Sequence, residues 1–132
     1  MNVTRNVLLA VSCSVILAIP LSAEAAGCVP DPSRGPIRVS VGADGQPVVA
    51  PDEVSACEGE TLRWVFQGSD AKEFAVIFRS DAGSPFDWDR QTGATMTGKV
   101  KSGAAKDGNR TEYKYDVEVD GKVLDPRIIV RP

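Results

Sequence analysis

Prolines at positions 30, 32, 36, 47 and 51, and glycines scattered through the rest, leave no stretch after residue 26 in which an extended helix can propagate. Between these breakers run short segments that alternate apolar and polar side chains, the period-2 pattern of strands with one buried face. Ile37, Val39 and Val41 share a face, as do Leu62, Trp64 and Phe66, and again Phe74, Val76 and Phe78. In the clearest case, Glu112 to Val119, Tyr113, Tyr115, Val117 and Val119 oppose four charged residues. Pro47-Val48-Val49 starts a further strand that Glu53 to Cys57 continues past Pro51, and Arg127 to Val130 closes the series. Asp44-Gly45 is a turn pair and Asp120-Gly121 carries the type I′ hairpin signal. Thr95 to Val100 reads as a weak strand and Gly103 to Asn109 as a small, polar, mobile loop. About seven short strands at this spacing predict an all-β fold, an antiparallel Greek-key β-sandwich or barrel.

The first 25 residues have the layout of a secretory signal peptide rather than of a strand. Arg5 supplies the positive end, Val7 to Ile19 the apolar run, and Ala23 and Ala25 the small residues of an A-x-A cleavage site. That run of about 13 residues falls short of the ~20 a membrane-spanning helix needs. Cleavage after Ala25 leaves one domain, residues 26–132, with no transmembrane segment, in the periplasm or outside the cell. Cys13 departs with the signal, so Cys28 and Cys57 remain as an even pair, which in an oxidising compartment predicts a disulfide. Closing that loop is worth ~3.5 kcal/mol in the chain-entropy treatment. The alternative is a lipoprotein: Ala25-Ala26-Gly27-Cys28 partly matches a lipobox, which would lipidate Cys28 and strand Cys57 as a free thiol. The cysteine count favours the disulfide.

The chain contains no histidine. This excludes Ser-His-Asp and Cys-His catalytic pairs, zinc helices and imidazole copper sites. Fifteen Lys and Arg against 18 Asp and Glu give a net charge of −3, which argues against a nucleic-acid partner.

Two segments carry a resemblance. Gly59-Glu60-Thr61-Leu62-Arg63-Trp64, followed by a turn and Phe74-Ala75-Val76-Ile77-Phe78, is similar to the core strands of the cupredoxins. Thr111-Glu112-Tyr113-Lys114-Tyr115 resembles their penultimate strand. In that family the second of these strands opens on a copper-binding histidine, and the penultimate strand delivers a cysteine ligand. Here Phe74 and Val117 stand at those places, and Asp120-Gly121 closes a hairpin too short for the remaining ligands. The resemblance therefore implies a cupredoxin-like domain over residues 37 to 131 with apolar packing in place of copper, and no cofactor.

The remaining candidates are few. Asp87-Trp88-Asp89 offers two carboxylates around an indole: a carbohydrate-active site, half of a calcium site, or a turn with Trp88 folded onto the sandwich edge. Phe86, presented by Ser84-Pro85, is either an apolar anchor for a partner, together with Trp88, or a plug for the open barrel end. Lys99, Lys101, Lys106 and Arg110 make a basic stretch that reads as a solvated loop, with an anionic lipid head or polymer as the functional alternative. Asn109-Arg110-Thr111 matches a glycosylation sequon. The expectation is a non-enzymatic exported binding module that meets a protein or envelope-surface partner.

Overall fold

The computed structural model describes residues 27–70 and 72–132; the expected signal peptide, and the lipobox positions Ala25 and Ala26, lie outside them. Alternation becomes eleven short strands: β1 (Ile37–Val41), β2 (Pro47–Ala50), β3 (Glu53–Cys57), β4 (Thr61–Phe66), β5 (Phe74–Ile77), β6 (Arg90–Gly93), β7 (Thr95–Lys99), β8 (Thr111–Lys114), β9 (Asp116–Val119), β10 (Lys122–Leu124) and β11 (Arg127–Arg131). β2 and β3, β8 and β9, and β10 and β11 are each separated by only one or two residues and run on without reversing. β6 and β7, with Ala94 alone between them, instead pair antiparallel to β5 and β4 in different sheets and run in opposite directions. The chain therefore makes eight passes, each reversing the one before.

The passes build sheets of order β2-β1-β4-β7 and β10-β9-β5-β6, with β3-β11-β8 continuing the wall beyond the breaks. This is the expected all-β sandwich. Most pairings are antiparallel, but β1–β4 and β3–β11 are parallel. The reason is topological. The β2/β3 pass lies outside β1 instead of between β1 and β4, so two passes running the same way become neighbours. Pro51 sits at the corner where that pass leaves one sheet for the next, at a point where no ladder N–H is needed.

The Asp120-Gly121 turn forms as its sequence predicts, both residues at positive φ (51° and 75°) as type I′ geometry demands. Two segments differ from expectation. The stretch from Thr95 is a full strand, β7, because Met96 packs opposite Trp64 in the core. Nor is Gly103 to Asn109 free: Ala104 and Ala105 are buried, the Tyr113 hydroxyl donates to the Ala104 carbonyl (2.5 Å), and Glu58 accepts the Ala105 N–H (2.9 Å). Among the described residues no helix is long and apolar enough to cross a membrane.

Candidate functional site

Five aromatic side chains converge where the β5–β6 loop folds back under the sandwich. Trp64 comes from the middle of β4, Tyr115 from the break between β8 and β9, and Phe78, Phe86 and Trp88 from the loop. The loop is shaped locally: the Ser84 hydroxyl accepts the Phe86 N–H (3.1 Å), and the Pro85 carbonyl accepts the Lys101 N–H (2.8 Å). Phe86 then stacks on Trp88 (centroids 5.0 Å, 16°) and meets Trp64 edge-on at 5.6 Å, the geometries that ring quadrupoles favour. Its ring lies on the backbone of Gly98 in β7. A Cβ there would come within 2.7 Å of the ring, so glycine is required by packing and not by a turn.

Phe86 is thus 2% exposed. The reading of Phe86 as a partner anchor gives way to the plug, because a ring already in contact with other rings loses that burial if it swings out. Trp88 covers the plug and stays half-buried, one face taken by Phe86. Asp87 and Asp89 on either side are exposed, with no ion pair or side-chain hydrogen bond among the described residues. A carbohydrate-active pair needs one carboxyl held away from water and its partner across a cleft. That arrangement is not formed, and the alternative of a carbohydrate-active Asp87/Trp88/Asp89 site is set aside. Lys106 is also structural: its ammonium donates to the Ala82 carbonyl (2.9 Å) and lies 5.7 Å over the Tyr113 ring.

Within the cluster the Trp64 indole N–H donates to the Tyr115 hydroxyl (3.2 Å). Burial pushes the Tyr115 phenol far above its usual range and raises that of Tyr113, with Glu58 adding to the latter. These are the only tyrosines. A raised phenol pKa means the native state holds its proton more tightly than the unfolded chain. The associated stability is therefore present below pH ~10 and lost as pH climbs past it. Absorbance titration is expected to show Tyr113 ionising above the ordinary phenol range and Tyr115 only when the protein unfolds in alkali; ionisation of Tyr115 near pH ~10 with the fold intact would contradict its buried placement.

A second constellation ties the entering chain to the sandwich. Cys28 and Cys57 form a disulfide with Cα atoms 5.6 Å apart. Six residues on, Arg34 donates to the Glu60 carboxylate (2.7 Å) and to the Ser55 carbonyl, while the same carboxylate accepts the Cys57 N–H (3.3 Å). Nothing in the local pattern around Arg34 announces this contact, which joins residues 26 apart.

At the other end of the sandwich lie Phe74 and Val117, 1% and 0% exposed. Val117 pairs directly with Val76, so Phe74 sits one step along the same inward face. Neither side chain has a donor atom. Cys28 and Cys57, the two cysteines among the described residues, are in the disulfide, and among these residues no three of His, Cys, Asp and Glu gather. A copper centre of imidazole and thiolate does not fit these residues.

A disulfide-stapled β-sandwich with an aromatic plug is the class of protein that fold and site define. Neither a protein-family model nor a curated protein sequence matches the chain. Among solved structures it is similar to a proline-to-glycine mutant of amicyanin in its reduced Cu(I) form at pH 4, at 13% identity over 75% of this chain and 85% of that one, with a TM-score of 0.45. It is also similar to a purple cupredoxin from Nitrosopumilus maritimus, at 11% identity over 71% and 98%, with a TM-score of 0.42.

Proposed function

We propose that the chain is an exported, copper-free cupredoxin-like module that binds a partner of the cell envelope and performs no catalysis. The observation that carries this reading is the pair Phe74 and Val117. Where the motif resemblance places two copper ligands, apolar side chains are buried in the hydrophobic core. Support for export comes from the leader-like first 25 residues and from the disulfide. Support for binding over catalysis comes from Asp87 and Asp89, exposed and without an ion pair among the described residues, and from the absence of histidine from the chain.

Copper addition tests the reading. Titrating Cu(II), and Cu(I) under reducing conditions, into the purified protein is expected to give no visible thiolate-to-copper band and no rise in Tm. A saturable band, or stabilisation that grows with metal concentration as binding to the native state requires, would overturn the copper-free reading.

A further inference from the structure

The outer face of the β2-β1-β4-β7 sheet carries an ordered line of cations. Along each strand the buried residues point to the core and the alternate ones point out. Arg38 on β1, Arg63 on β4 and Lys99 on β7 are outward and exposed, one per strand. The register fixes their arrangement. Arg38 lies beside Val65, two residues from Arg63, and Arg63 lies beside Thr97, two residues from Lys99 in the same sense. Each step is one strand across and two residues along, so the cations form a straight diagonal with a spacing of about 8 Å between backbone positions.

The rest of the face is neutral. Thr97 lies beside Arg63, Thr61 beside Lys99 and Thr95 beside Val65, and no outward position on the four strands holds Asp or Glu. None of the three cations has an ion-pair partner among the described residues. Acids that share surface depressions with the arginines are engaged elsewhere: Glu60 with Arg34, Glu53 with Arg127 and Asp31 with Ser33. The line stops at Lys99, where Glu58 and Asp87 border the same depression.

We propose that this diagonal is a docking track for a linear anionic polysaccharide. The inference rests on the reading of the chain as a binding module and names its partner by chemistry. Charge complementarity selects a polyanion, and a one-per-strand line suits an extended polymer better than a single phosphate, which would need converging donors. The threonine hydroxyls suit sugar hydroxyls and carboxylates, each able to donate and accept. No aromatic side chain points out from these four strands, so the face lacks the stacking platform that single-stranded nucleic acid requires. Spaced near one Debye length at physiological salt, the cations repel one another little, while a polymer can touch each in turn.

The test is binding of the purified protein to polygalacturonate, with its fully methyl-esterified form, phosphatidylglycerol vesicles and single-stranded DNA as comparators. Saturable binding to the acid polymer is expected, weakening with salt at a log–log slope of roughly −2 for three contacts. Arg38→Gln, Arg63→Gln and Lys99→Gln are each expected to weaken it by up to about fivefold without shifting Tm, since all three side chains are exposed. Lys114→Gln, an exposed cation on β8 in a different sheet with no ion pair among the described residues, is expected to have no effect. Equal binding to the esterified polymer, binding to vesicles or DNA alone, no binding, or an equal loss with Lys114→Gln would each overturn the track. Copper uptake in the earlier experiment strikes only the module reading, whereas failure of the polymer strikes only the track, so the two can fail separately.

Discussion

Replacing Phe86 with alanine is expected to destabilise the protein by about 3–5 kcal/mol, the range for deleting a buried ring whose surroundings cannot collapse. Collapse is limited because Trp64 on β4 is held by its hydrogen bond to Tyr115 and Phe78, directly after β5, is itself buried among these rings. The complementary change is Gly98→Ala, which puts a methyl within 2.7 Å of that ring and should cost about 1–3 kcal/mol through overpacking. The two effects should not add: in the Phe86→Ala background a methyl at position 98 fills part of the hole, and its penalty should shrink or reverse. Urea midpoints of the four proteins in this cycle, with near-ultraviolet circular dichroism of the tryptophans, read the coupling. A Phe86→Ala loss below about 1 kcal/mol, or strict additivity with Gly98→Ala, would show that the ring does not plug the sandwich.

The second large effect belongs to the disulfide. Converting Cys28 and Cys57 together to serine is expected to lower stability by ~3.5 kcal/mol for a loop of this length. The loss is expected to reach beyond the bond itself. Residues 29–36 are held mainly by Arg34, whose carboxylate partner also caps the Cys57 N–H, so releasing Cys28 loosens both ends of that network. Denaturation with and without reductant measures the effect, and intact mass shows whether two hydrogens are missing from the native protein. An unchanged midpoint on reduction would mean the bridge contributes nothing; a lipid-sized mass increment would place Cys28 in an anchor instead.

Much of the fold was legible because strand alternation is a local signal. Leu62, Trp64, Phe74 and Val76 declare their inward face within a few residues, and Asp120-Gly121 specifies its turn from two. What could not be read is decided by distant partners. β6 is Arg-Gln-Thr-Gly, with no apolar alternation, and is a strand because β5 offers it a ladder from Phe74 to Ile77. The parallel β1–β4 pairing depends on where the intervening pass lies, which no property of either strand states. The site divides in the same way. The disulfide followed from counting cysteines in a presumed compartment, whereas the choice between anchor and plug for Phe86 turned on a glycine twelve residues away that the sequence offered no reason to notice. The cation line is visible only once three strands are set in register.

Eight alternating passes are an even number, and that has a directional consequence. The entering segment and the final strand lie at one end, where the Cys28 N–H bonds to the Pro132 carbonyl (3.2 Å). Anything joined ahead of Cys28 leaves the sandwich from that end, beside the Lys101 and Lys106 loops. The Asp44-Gly45 and Asp120-Gly121 turns then project farthest from the tether, and the cation line descends obliquely from mid-sheet at Arg38 to the tether end at Lys99. A tethered copy would hold that line inclined to its support, facing sideways to neighbours rather than outward.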